Sequence, residues 1–266
     1  MPANSFRQAL TLLVLVLIAC GANAQTTKKT KQRPNIPGSF IVDLGLNGTQ
    51  GAPDLWKTQL FGSRTVNLYY QYPMRFGRSR FSFNPGAGFS FERFKWKPST
   101  PVILTNPVES NANAQVEKYE FALDSTRFGN LNGKKITLAQ NYLSVPIELR
   151  FDTKPEDISR SFNVAIGARG DWMFDSFMKV KYKDDGQTKK MKDKQDWGFT
   201  KLRYGVYTRL GIGGFNFFVF YNMTPLFQKD KGPYNQGSFS SSGAIQGGAT
   251  GTTMTTFTAG ISLNGF

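Results

Sequence analysis

From residue 38 onward, apolar positions recur every second residue rather than every third or fourth. The clearest run sets Phe162, Val164, Ile166, Ala168, Gly170, Trp172 and Phe174 against Asn163, Ala165, Gly167, Arg169 and Asp171. One face is apolar throughout and the other is small or charged, the pattern of a strand whose two faces meet different surroundings. The segment 201–212 repeats it, with Leu202, Tyr204, Val206, Thr208, Leu210 and Ile212 on one side. The same alternation runs through 40–47, 65–72, 81–92, 143–151, 215–223 and 257–263. The pattern predicts eight strands.

Connection lengths alternate as strictly as the side chains. Those after the second, fourth and sixth strands are short, near 75–78, 152–160 and 213–214. Those after the first, third, fifth and seventh are longer and polar, at 48–62, 97–135, 176–198 and 227–252. Short turns on one side and long loops on the other are how a transmembrane β-barrel is built. Two loops carry their own alternation, 116–123 and 179–194, and each is expected to form a strand pair beyond the membrane. The expected fold is all-β, an eight-stranded antiparallel up-and-down transmembrane barrel.

A soluble up-and-down barrel has the same period with its faces reversed, so alternation alone leaves both open. Three features favour the membrane. Aromatics collect near the short turns (Tyr70, Tyr72, Phe81, Phe83, Phe151, Phe162, Phe215, Phe217), as in an interfacial girdle. Glycines fall mostly on the polar face, at Gly45, Gly86, Gly88, Gly167, Gly205 and Gly260, as a tightly filled lumen requires. The last residue is the aromatic Phe266, a common mark of barrel assembly, although it is out of register with Ile261 and Leu263.

Residues 1–24 read as a secretory signal: Arg7, an apolar core over 10–19, and the small-x-small site Ala22-Asn23-Ala24. Leu17-Ile18-Ala19-Cys20 also resembles a lipobox, which would place a lipid on Cys20. We favour cleavage after Ala24, because the remaining chain is able to hold itself in a membrane. Residues 25–37, with Lys28, Lys29, Lys31 and Arg33, are expected to be a solvated periplasmic lead-in to a barrel over 38–266. The expected location is the outer membrane of a Gram-negative bacterium, with a periplasmic N-terminus.

Asn141-Tyr142-Leu143-Ser144-Val145-Pro146-Ile147-Glu148-Leu149-Arg150-Phe151 resembles the tyrosine-leucine-x-x-proline strand of the PorT-like outer-membrane β-barrel proteins. Asn84-Pro85-Gly86-Ala87-Gly88-Phe89 is similar to the glycine-rich third strand of the same group. The resemblance implies a small barrel of the OmpA/OmpX type and, for some members, a link to a protein secretion machinery. Proline inside a strand removes a ladder hydrogen bond, so a bulge is expected at Pro146, with its side chain in the lumen.

Composition narrows the chemistry. The chain has 266 residues, 33 Lys and Arg against 18 Asp and Glu, no histidine, and one cysteine, which lies in the leader. Disulfides, Cys/His metal sites and histidine-based catalysis are thereby removed from the mature protein. No catalytic, cofactor or metal site is expected. With the apolar faces toward lipid, the lumen receives Asp43, Glu92, Glu148 and Asp171 with Arg150, Arg169, Lys201, Arg203 and Arg209. Such charges are expected to pair as a plug, since unpaired ones would be costly; the sharper reading is an ion path or gate. Glu148 and Asp171 are not expected to work as an acid/base pair.

The lysine-rich stretch that begins at Lys179 and runs to Lys194 is interrupted by Asp184, Asp185 and Asp193, with Asp196 just after it, and reads as a solvated hairpin tip, with lipopolysaccharide phosphates as the functional alternative. Nucleic acid is not an expected partner. Outer-membrane lipid, lipopolysaccharide and a secretion or envelope protein complex are. Two function classes remain: a non-enzymatic structural, assembly or secretion-accessory barrel, and a barrel that binds or transports a small solute or ligand through its lumen or its extracellular loops. A filled lumen favours the first, a continuous wet channel the second.

Overall fold

The computed structural model describes residues 38–52, 56, 58–96, 103–105, 120–122, 135–184, 187–194, 197–229 and 253–265. The expected leader with Cys20, the lead-in 25–37 and Phe266 lie outside the described residues, as do most of the loop 97–134 and all of 230–252.

Eight strands form the wall: β1 (Ser39–Gln50), β2 (Arg64–Gln71), β4 (Phe81–Lys95), β7 (Lys135–Asp152), β8 (Phe162–Asp184), β10 (Leu202–Ile212), β11 (Phe215–Asn222) and β12 (Thr255–Asn264). Each pairs antiparallel with the next, and β12 returns to β1, so the sheet closes on itself without a free edge. Four short strands are additions. Strand β3 (Met74–Arg75) pairs with the start of β4, and β9 (Gln187–Asp193) prolongs β8 into a hairpin. Strands β5 (Ile103–Thr105) and β6 (Glu120–Ala122) pair with each other, so the alternating piece at 116–123 supplies a strand as expected.

The tightest turn joins β10 to β11 through Gly213 and Gly214. Gly213 has φ of +59°, and a Cβ there would meet the carbonyl of Ser159. Only glycine meets both demands cheaply.

Side-chain direction decides between membrane and soluble barrel. Ile166 (65% exposed), Leu202 (68%), Phe217 (61%) and Val145 (53%) face outward, whereas Asp43, Glu92, Glu148, Asp171 and four arginines are buried inside. Water does not tolerate an outer wall of such continuous apolar area, but a bilayer requires it. The protein is a transmembrane β-barrel.

The wall is taller than alternation predicted, and its two storeys are built by opposite rules. Strand β4 continues to Lys95, β7 begins at Lys135 and β8 runs to Asp184. In this upper storey, at the long-loop end, Phe94, Trp96, Ile136, Leu138, Met178 and Val180 point inward into one apolar core, joined by Trp56, Trp197, Phe199, Leu226, Phe227 and Met254. Outward positions are instead Arg93, Lys95, Lys135, Lys179 and Lys181. Below, the wall is apolar outside and polar inside; above, it is charged outside and apolar inside. That inversion is what leaving the hydrocarbon for water demands.

A bulge helps β8 make the change. Tyr142 pairs with Met173 and Asn141 with Asp175, which leaves Phe174 as the extra residue. Even-numbered positions face lipid up to Trp172 and face inward at Met178 and Val180. The expected bulge at Pro146 is therefore displaced. Pro146 is on the lumen face as expected, but its pairing with Arg169 on β8 is regular. On the β4 side, Pro85 pairs with Ile147 and Gly88 with Ser144, in one register, while Gly86 and Ala87 pair with β2 but have no ladder partner on β7. The wall absorbs the missing donor by opening two positions opposite flexible glycine, so no residue needs to be inserted.

Candidate functional site

Three strands bring the middle of the lumen together around Arg209. Its Nη2 donates to Asp43 Oδ2 at 2.9 Å, and its Nη1 donates to Glu148 Oε2. The two carboxylates have further donors in Asn67 Nδ2, 3.3 Å from Asp43, and Asn84 Nδ2, 3.3 Å from Glu148. Toward the long-loop end, Arg169 donates to Asp171 through Nε at 2.8 Å and to Tyr69 Oη through Nη1 at 2.8 Å, and reaches Glu92 at 3.5 Å. Arg203 Nη1 completes that cluster, donating to Tyr142 Oη at 2.6 Å and Glu92 Oε2 at 3.3 Å. Ser144 Oγ donates to Asp171 Oδ1 at 2.5 Å.

Aromatic rings fill what the ion pairs leave. The Arg169 guanidinium carbon lies 3.6 Å from the centre of the Phe220 ring, and that of Arg209 lies 4.7 Å from the Tyr207 ring. Gly167 makes this possible, because a Cβ there would meet the Tyr207 phenol. A central void bounded by Asp43, Tyr69, Arg169, Tyr207, Arg209, Phe218 and Phe220 is about 10 Å³. It has room for one water at most.

Eight of the nine charges expected in the lumen are there. The exception is Lys201, which is exposed and sits in the bend before β10, its carbonyl accepting from Met173 N at 2.8 Å. Parity would have placed it beside Arg203, but the strand starts one residue too late to enforce parity. Asp152 takes its place among the buried charges. Read as a turn residue, it is instead 5% exposed and accepts from Arg150 Nη2 at 2.9 Å and Nε at 3.1 Å. Glu148 and Asp171 belong to different clusters, each held by its own arginine.

Both ends of this plug are distinct. At the short-turn end a vestibule of about 660 Å³ is lined by Gln71, Asn84, Arg150 and Asp152. At the other end the apolar core closes the barrel, with Trp56 edge-on to Trp96 at 4.9 Å and to Phe227 at 5.9 Å. Nothing in the alternation announced this second core, because tryptophans 56, 96 and 197 stand in or beside the stretches read as loops.

The hairpin β8–β9 leaves the wall above this level. Asp175 accepts from Lys194 Nζ at 2.7 Å and from Asn141 Nδ2 at 3.1 Å. Those two hydrogen bonds, the lysine's first, hold its carboxyl below the usual aspartate range against the opposing effect of burial.

No family model matches the chain, and no curated protein does. The resemblance to the PorT-like barrels therefore rests on the two strand motifs alone. Among solved structures the chain is similar to Ail, the attachment invasion locus protein of Yersinia pestis, at 16% identity and a TM-score of 0.29, covering 86% of this chain and 99% of that one. It is also similar to Neisserial surface protein A, at 11% identity and a TM-score of 0.30, covering 86% and 97%. A further structure of Ail, in complex with the heparin analogue sucrose octasulfate, matches at 14% identity and a TM-score of 0.28, covering 86% and 99%.

Proposed function

We propose that the chain is a non-enzymatic outer-membrane barrel that works through its surfaces, as a structural, assembly or secretion-accessory component in the manner of the PorT-like proteins. The observation that carries this reading is the lumen: paired charges and aromatic rings leave a central void of about 10 Å³ beneath an apolar cap. Among the described residues, what remains for function is the projecting hairpin on one side and the short turns on the other. The exported chain begins at Gln25, and the lead-in 25–37 lies in the periplasm. The alternative, solute transport, needs a continuous wet path that this packing opposes.

Site-specific photo-crosslinking in intact cells tests the proposal. Probes at Gln187 or Thr188 in the hairpin, and at Ile158 in a short turn, should capture one discrete envelope protein from at least one side. Steady ion currents through the purified barrel, with no crosslinked partner, would move transport to first place.

A further inference from the structure

On the outer wall, where the lower storey meets the upper, four strands build a concavity of about 570 Å³. Its rim carries Arg64 from β2, Arg93 and Lys95 from β4, Lys135 from β7, and Lys179 and Lys181 from β8. Cross-strand register sets like charge beside like: Arg64 pairs with Arg93, and Lys135 with Lys181. The hairpin adds Lys190 opposite Lys181 and Lys192 opposite Lys179. Like charges directly opposite on a sheet destabilise it, so an assembly of this kind needs counter-charge from somewhere.

The described residues do not supply that charge. Among the described residues, none of the six rim cations is ion-paired. Asp175 and Glu92 are the acids whose charges reach Arg93, and each is already engaged, Asp175 by Lys194 and Glu92 by Arg169 and Arg203. Lys190 foremost, then partial desolvation, Lys135 and Lys179, hold the Lys181 ammonium below the usual lysine range. Arg93 is fixed in place, its Nη1 donating to the carbonyls of Glu92 (2.8 Å) and Gln140 (3.2 Å) and to Asn141 Oδ1 (2.9 Å).

The floor of the concavity indicates what kind of anion fits. It is apolar, made by Val66, Phe91 and Phe177. One step further down the wall, Leu68 pairs with Phe89 and Phe89 with Leu143, a row of exposed apolar side chains facing lipid. Two residues along a strand span about 7 Å, so the cations stand one headgroup's height above the hydrocarbon surface. A soluble anion would use the rim and waste the floor.

We propose that this concavity is a binding site for a multiply phosphorylated membrane lipid, whose phosphates lie among Arg64, Arg93, Lys95, Lys135, Lys179 and Lys181 and whose acyl chains run down over Phe91, Leu68 and Phe89. This site is separate from the lumen and stands or falls independently of the secretion-accessory reading.

Native mass spectrometry of the full barrel released from detergent tests it, with diphosphoryl lipid A, monophosphoryl lipid A and inorganic pyrophosphate as probes. The wild type should retain the diphosphoryl lipid best and the monophosphoryl lipid less well. Pyrophosphate at millimolar concentration should neither bind stably nor displace the lipid. Lys95→Gln, Lys135→Gln, Lys179→Gln and Lys181→Gln together should weaken diphosphoryl lipid binding at least about tenfold, since each basic residue near a charged membrane surface contributes appreciably. Arg75→Gln with Arg78→Gln, at the opposite end, should leave binding unchanged. Faster migration of unheated than of boiled variant on SDS gels verifies that it folds, and Lys135→Gln with Lys181→Gln serves if the fourfold variant does not. Equal retention of the two lipids, or undiminished binding by the folded variant, would overturn the proposal. Pyrophosphate bound as tightly as the lipid would overturn it in favour of a soluble-anion site.

Discussion

Arg209 and Asp43 are 166 positions apart in the chain and 2.9 Å apart across the lumen. The same guanidinium holds Glu148, so β10, β1 and β7 are tied at one point inside the closed wall. Both carboxylates and the arginine are buried from solvent, which makes the arrangement sensitive to losing one member rather than to being replaced as a whole.

Arg209→Ala is accordingly expected to destabilise the barrel by about 3–5 kcal/mol, the range for stranding a buried charge. The measurement is the temperature at which the fast-migrating folded band converts to the slow unfolded one on SDS gels. Adding Asp43→Asn and Glu148→Gln to Arg209→Met should recover much of that loss, because no charge is then left alone. A triple variant as unstable as Arg209→Ala would refute the ion-pair account.

The eight strands and their sidedness were legible in the chain because a half-lipid, half-lumen strand has no freedom in its period. So were Arg169, Arg203 and Arg209, which sit mid-strand where parity is enforced from both sides. Lys201 and Asp152 were misplaced because both stand at strand ends, where one bend decides the face. The upper storey was hidden for another reason. Even-numbered apolar residues continue from Ile166 through Trp172 to Met178 and Val180, so the run reads as one face. Only the extra residue at Phe174 turns the later ones inward, and a one-residue bulge leaves no trace in periodicity. The basic concavity was equally invisible, since its cations come from four strands and meet only through register.

The two-storey wall predicts which tryptophans lipid can reach. Trp172 is 57% exposed on the lipid-facing wall, while Trp56, Trp96 and Trp197 are buried in the cap. Lipids brominated on their acyl chains should quench part of the fluorescence of the wild type and almost none of that of Trp172→Phe. Strong residual quenching in Trp172→Phe would mean that the cap residues face lipid, and the inversion would be wrong.

Gln140 marks the boundary between the storeys from inside. It is fully buried beside the apolar cap, and among the described residues neither Oε1 nor Nε2 has a hydrogen-bond partner. An unsatisfied buried polar group costs about 1–3 kcal/mol. Gln140→Leu, close in volume, should therefore raise the folded-to-unfolded conversion temperature, with the cap's tryptophan emission unshifted. A lower conversion temperature would show that the amide is engaged in the folded barrel.

The last expectation is that the barrel does not conduct. Eight strands enclose an interior that side chains just fill, whereas open porins use about 16. Here four arginines bring their counter-charges with them, Phe220 and Tyr207 cover two guanidinium groups, and about 10 Å³ remains at the centre. An ion entering from the short-turn vestibule would first have to part Arg209 from Asp43 and Glu148, then Arg169 from Asp171, and then cross the apolar core built by Trp56, Trp96, Trp197 and Phe227. Removing one obstacle leaves the others, so Arg169→Ala or Glu148→Ala should lower the conversion temperature without producing stable channels. In planar bilayers the wild type and both variants should show no steady porin-like steps. Large, regular unitary currents from the purified wild-type chain would mean that the plug moves as a unit, and the lumen would then be a gated path rather than a core.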